Sequence, residues 1–115
     1  MSDVIIEAWR PVPGRPTLRG YCRCRFDSGI AGGVIMDEIA IHYSADDGNT
    51  WCYPPARPMI GRDGNLVRDT SGKLRYVSII EFPSARIRRD WCDGIIAALL
   101  RKYPNALLAA VESVP

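Results

Sequence analysis

The side chains best suited to chemistry in this chain are its arginines, and they fall into three groups. Arg19, Arg23 and Arg25 alternate along 18–26 with Tyr21 between them, a spacing that places all four on one face of a strand. Arg57, Arg62 and Arg68, with Lys73 and Arg75 beyond, stud a segment stiffened by Pro54, Pro55 and Pro58 and turned at Asp63-Gly64-Asn65. Arg86, Arg88 and Arg89 crowd the start of a helical pattern, where cations oppose the helix dipole at roughly a few tenths of a kcal/mol each. Guanidinium groups fork onto phosphates and stack on bases, and a ring among them adds a platform for an unpaired base. The strand stripe and the stiffened segment therefore point to an anionic polymer, DNA and/or RNA, as partner. The helix-start group points either to an external anion or compensation by Glu81, or to neutralisation by Asp90 and Asp93.

The overall charge is a weaker guide than its placement. Of fifteen cations thirteen are arginine, against thirteen carboxylates, for a net charge of +2. Residues 34–53 carry Asp37, Glu38, Asp46 and Asp47 with no lysine or arginine, so the cations concentrate elsewhere.

Other constellations are poor. Cys22, Cys24, Cys52 and His42 supply four metal-ligand types, but no CxxC or HxxxH spacing supports a site. His42 has Tyr43 and Ser44 as neighbours, and adjacent strand residues face opposite ways, so no triad is implied. GNLVRDTSGK lacks both the glycine spacing of a phosphate loop and the Ser/Thr after its lysine. The expectation is a non-enzymatic protein with no catalytic residues, metal or cofactor. The rival class is a protein-interaction or structural accessory module.

The elements that must position these residues read as follows. At 115 residues the chain fits one domain, with a core over 17–103 and a short tail at 104–115. Strands are expected at 4–10, 18–26, 34–44, 50–53 and 74–82, with stiff connectors at Pro11–Pro16 and around Pro54–Pro58. Asp47-Gly48 signals a hairpin, and Asp27-Ser28-Gly29 opens a turn region reaching Gly32-Gly33. Ser84 caps a helix whose stripe is Ile87, Trp91, Ile95, Ala98 and Leu99; Pro104 ends it, and Asn105 starts a shorter one over ALLAAVE.

The layout is α+β: an antiparallel β-sheet of about five strands followed by one main C-terminal helix. Five strands span roughly 24 Å, whereas one helix covers about 10 Å. Another surface must cover the remainder, and a homodimer is the expectation. No apolar run approaches the roughly 20 residues of a membrane helix. The first residues lack a signal-peptide pattern, so a cytoplasmic protein with reduced cysteines is expected.

The order of these features resembles the stage V sporulation protein G (SpoVG) family of small bacterial nucleic-acid-binding regulators. The resemblance runs from Leu18 to Leu100, with a weaker echo at Ile5–Arg10. It rests on the strands Leu18–Phe26 and Val34–His42, and on Trp51 leading into Pro55-Ala56-Arg57-Pro58. Beyond these come the Arg62-Asp63-Gly64 turn, Ile79–Pro83, and the helix from Arg86-Ile87-Arg88 to Ile95-Ile96-Ala97-Ala98-Leu99. It implies a dimeric sheet-plus-helix domain that binds DNA and RNA without catalysis, with Arg57, Arg62, Arg86, Arg88 and Arg89 at the family's basic positions.

Overall fold

The computed structural model describes residues 4–27 and 33–108. Seven elements follow in order: β1 (Val4–Pro11), β2 (Leu18–Phe26), β3 (Val34–Tyr43), β4 (Thr50–Tyr53), β5 (Ala56–Pro58), β6 (Tyr76–Ser78) and α1 (Ala85–Lys102). The first four form an antiparallel meander in the order β1-β2-β3-β4, while β5 and β6 pair only with each other. The α+β order read from the sequence holds. Its last strand does not: the strand expected at 74–82 shortens to Tyr76–Ser78 and leaves the main sheet.

The core lies where α1 crosses the meander. Ile39, Ile41, Ile95, Leu99, Cys22, Cys24 and Cys52 are the largest fully buried side chains, joined by Ile6 from β1. The packed unit thus begins before residue 17. Ser84 caps α1 by accepting from the Ile87 amide at 3.1 Å, and at the other end the Tyr103 amide donates to the Leu99 carbonyl at 2.7 Å. Trp91 braces the helix start, its ring 5.0 Å from Phe82 and 6.4 Å from Phe26. Lys102 Nζ donates to the Ile6 carbonyl at 2.9 Å, which ties the end of α1 to β1. After the helix the chain turns over 104–107, and the expected ALLAAVE helix runs from these turns beyond the described residues. The Ser28–Gly32 turn also lies outside them.

Three bulges bend the meander. Glu7 is an extra residue in β1, and Asp37 with Glu38 oppose Arg23 alone across β2 and β3. Glu38 takes the left-handed conformation there, φ 55°, which for a residue with a Cβ is tolerated at a bulge and rarely elsewhere. The third bulge, between Leu18 and Gly20, frees Arg19 from the alternation of its strand.

The segment read as a stiff loop is a β-arm. Strands β5 and β6 are extended by single bridges, Ile60 with Leu66 and Arg68 with Leu74. Met59 sits between two neighbours: its amide donates to the Arg75 carbonyl at 2.8 Å and its carbonyl accepts from the Val67 amide at 2.9 Å. Two Asp-led turns close the arm. Asp63 accepts the Asn65 amide at 3.0 Å, and Asp69 accepts those of Ser71 and Lys73 at 2.8 and 3.0 Å. Gly64 and Gly72 supply the positive φ that these turns need. None of residues 53–91 is buried. With a radius of gyration of 15.9 Å, against about 13–14 Å for a compact chain of this length, the arm is a projection without a core of its own.

Two glycines test the packing in opposite directions. A Cβ on Gly20 would meet the Arg10 carbonyl and lie 2.7 Å from Trp9 Cη2, so Gly20→Ala must displace backbone. A Cβ on Gly94, inside α1, meets nothing within 4 Å. In denaturant unfolding Gly20→Ala is expected to destabilise by about 1–3 kcal/mol and Gly94→Ala to stabilise by about 0.5–1 kcal/mol.

Candidate functional site

The outer face of the meander carries the first group of arginines, and it is neutralised. Arg23 pairs with Glu7 at 3.1 Å and Asp37 at 3.2 Å. Arg25 pairs with Asp27 at 2.7 Å and Glu7 at 3.4 Å. Arg10 reaches Glu38 at 2.9 Å and lies over the Tyr21 ring at 4.8 Å. The two bulges beside Arg23 bring Glu7, Asp37 and Glu38 to this face. Hydrogen bonds that Arg23 donates to Glu7 and Asp37 hold its proton more tightly than usual, and Asp27 does the same for Arg25 as acceptor. These guanidiniums already have their anions.

Arg19 is not on that face at all. The bulge beside it turns its side chain inward, where it is buried; Nε donates to the Leu107 carbonyl at 2.8 Å and the guanidinium lies 5.6 Å from the Tyr43 ring centroid. Its placement beside Tyr21, Arg23 and Arg25 is corrected: strict alternation fails at the bulge, and the residue is a clamp on the C-terminal turns.

The other two groups differ in kind. All five ion pairs among the described residues lie between β1, β2, β3 and Asp27. Among the described residues, Arg57, Arg62, Arg68, Lys73 and Arg75 on the arm have no carboxylate within 4.0 Å, nor have Arg86, Arg88 and Arg89 on α1. Residues 54–93 hold eight cations and five carboxylates. Asp63 accepts from the Asn65 amide, and Asp69 from the Ser71 hydroxyl and then the Lys73 amide, bonds that hold both carboxyls below their usual range. Glu81, Asp90 and Asp93 make no ion pair with the helix-start arginines, and the first turn of α1 has no acidic residue. Arg68 donates to the Gly72 carbonyl at 3.0 Å and Arg57 to its neighbour Pro58 at 3.4 Å, contacts that leave most of each fork available.

Where arm and helix start meet, a cleft of about 580 Å³ opens between Tyr53, Pro54, Ser78, Phe82, Ser84 and Arg88. Arg88 lies over the Tyr53 ring at 5.3 Å. Tyr53 and Tyr76 are both exposed, so rings stand beside uncompensated cations. The cations were legible in the sequence and these two rings were overlooked; the signal was there in Tyr53, the last residue of β4, directly before the Pro54-Pro55 pair that ends the strand.

The arrangement offers charge and stacking surfaces. His42 lies on the opposite sheet face from Cys22, Cys24 and Cys52, stacked on Trp51 at 5.3 Å with Thr17 Oγ1 3.0 Å from its Nδ1. The sheet itself separates those four side chains. No cluster of three or more metal-ligating residues occurs among the described residues, and no helix there is long and apolar enough to cross a membrane. No protein-family model, curated protein or solved structure matches this chain.

His42 provides a pH test of this geometry. Burial, and then the nearby Arg19 charge, lower its pKa from the ordinary 6.5. The folded state thus favours neutral imidazole, and its contribution is complete above pH 6.5 and lost as pH falls through the lowered value. Denaturation midpoints are expected to drop as pH falls below about 6.5, and His42→Gln should flatten that limb of the profile.

Proposed function

We propose that this chain is a small non-enzymatic nucleic-acid-binding protein of the bacterial regulatory type, binding DNA and/or RNA as a cytoplasmic homodimer. One observation supports the reading: the cations on the outer face of the meander, Arg10, Arg23 and Arg25, pair with carboxylates, whereas the eight cations of the arm and helix start pair with none among the described residues. Guanidiniums without carboxylate partners on a projecting arm suit a polyanion, and the exposed rings of Tyr53 and Tyr76 suit unpaired bases. The resemblance of 18–100 to the SpoVG family points the same way. Arg23 and Arg25 contribute less than the sequence suggested, because an incoming phosphate must displace their carboxylates.

The dimer follows from the arm. Ile60, Leu66, Tyr76 and Ile79 are all about half exposed or more, and no residue of the arm is buried in the chain itself. A second copy covers such a surface. Light scattering at micromolar concentration should give twice the 12.8 kDa chain mass; a monomer contradicts the dimer. The same apolar residues favour a second reading, a module that docks on another protein.

Fluorescence anisotropy with labelled single-stranded DNA, duplex DNA and RNA at two salt concentrations separates the readings. For four or more phosphate contacts, log K against log salt should fall with a slope of about −3 or steeper. Arg57→Glu with Arg62→Glu should weaken binding more than tenfold at low salt while the circular dichroism spectrum and oligomeric mass stay unchanged. Arg25→Gln should change affinity little. Absence of binding to all three probes at low salt would remove the nucleic-acid reading and leave protein docking.

A further inference from the structure

A second chemical feature, unused by the reading above, sits where β4 meets α1. Cys52 and Cys92 face each other across this contact: Cys92 Sγ is 3.5 Å from the Cys52 carbonyl oxygen, and Cys52 Sγ is 3.9 Å from the Cys92 carbonyl oxygen. The Arg88 guanidinium converges on the same Cys52 oxygen at 3.5 Å, which places a cation beside the Cys92 sulfur. A pocket of about 210 Å³ opens here, lined by Thr50, Trp51, Cys52, Arg88, Arg89 and Cys92. A water occupies about 30 Å³ of liquid, so the pocket has room for a peroxide.

We propose that Cys92 is a peroxide-sensitive thiol and Cys52 its resolving partner, so that oxidation ties β4 to α1 by a disulfide. The Cys92 thiolate attacks a hydroperoxide oxygen; the S–O bond forms, the O–O bond breaks, and the leaving oxygen departs as water or alcohol after protonation. The Cys52 sulfur then attacks the sulfenic sulfur. The S–S bond forms, the S–O bond breaks, and hydroxide leaves as water with the Cys52 proton. Two thiols lose two electrons and the peroxide gains them.

The surroundings separate this pair from the other. Cys22 and Cys24 have sulfurs 3.6 Å apart, but both are fully buried on one strand, and their charged neighbours are carboxylates, Asp37 and Glu7. Carboxylates disfavour a thiolate, and Arg88 favours one. In keeping with this, the Cys52 hydrogen bond above all, with Arg88 assisting, brings Cys92 down from 9.0 to about 7, and the shared interaction and burial push Cys52 up.

The test uses the whole chain and does not depend on nucleic-acid binding. After a few-fold excess of hydrogen peroxide, and before any alkylation, intact mass should fall by about 2 Da relative to the reduced protein, and a tryptic map of the then alkylated protein should show Cys52 linked to Cys92. Cys52→Ala should stop the reaction at a dimedone-reactive Cys92, and Cys92→Ala should abolish it. Arg88→Gln should slow iodoacetamide labelling of Cys92 several-fold at pH 7 and move its midpoint upward. A Cys22–Cys24 link instead, or four unmodified thiols in folded protein after the same treatment, would overturn the assignment. The wild-type map decides the matter even where an alanine variant fails to fold.

Discussion

One helix crosses a four-stranded sheet, and it buries only what lies directly beneath it. Every fully buried side chain named above sits in that strip: β2, β3 and β4 below, Ile95 and Leu99 above. Burial of such residues contributes roughly 1.5–3 kcal/mol each before the entropy cost of ordering them. No second strip occurs among the described residues. Everything beyond it is held by other means or stands in solvent, and the distribution of charge follows from that division.

On the far side of the sheet the substitute for a core is a lattice of ion pairs. Two strands place bulges beside Arg23, and these aim Glu7 and Asp37 at the β2 arginines and Glu38 at Arg10 of β1. Exposed pairs of this kind add little stability. Their effect is to satisfy the guanidiniums locally. The arm lacks both devices: it has no buried side chain, and its aspartates are committed to turns at Asp63 and Asp69. Its cations are left with solvent, which is the physical basis for reading the arm, and not the sheet face, as the surface that meets a polyanion.

Much of this was legible in the residues. Alternation marked β2 and its buried cysteines, Asp-Gly marked the hairpin, and Ser84 marked the helix start, because each signal is local and each was satisfied by neighbours in sequence. Charge pairing was not legible. Whether an arginine is free depends on which carboxylate a bulge brings opposite it, and a one-residue register shift at Glu7 or Asp37–Glu38 leaves no pattern in the sequence. The same reason explains Arg19, moved inward by a bulge. The arm was read as a loop because its prolines and turns mask strands of three residues whose partners lie about twenty positions away. Its basic character was visible; its β-structure was not.

The central claim is that the uncompensated arm and helix start form the contact surface. Hydrogen–deuterium exchange with and without a saturating single-stranded oligonucleotide tests it most directly. The account predicts slowed exchange over 56–78 and 84–89, with the amides of β1, β2 and β3 unchanged. Protection confined to the meander around Arg23 and Arg25, with the arm unaffected, would contradict it.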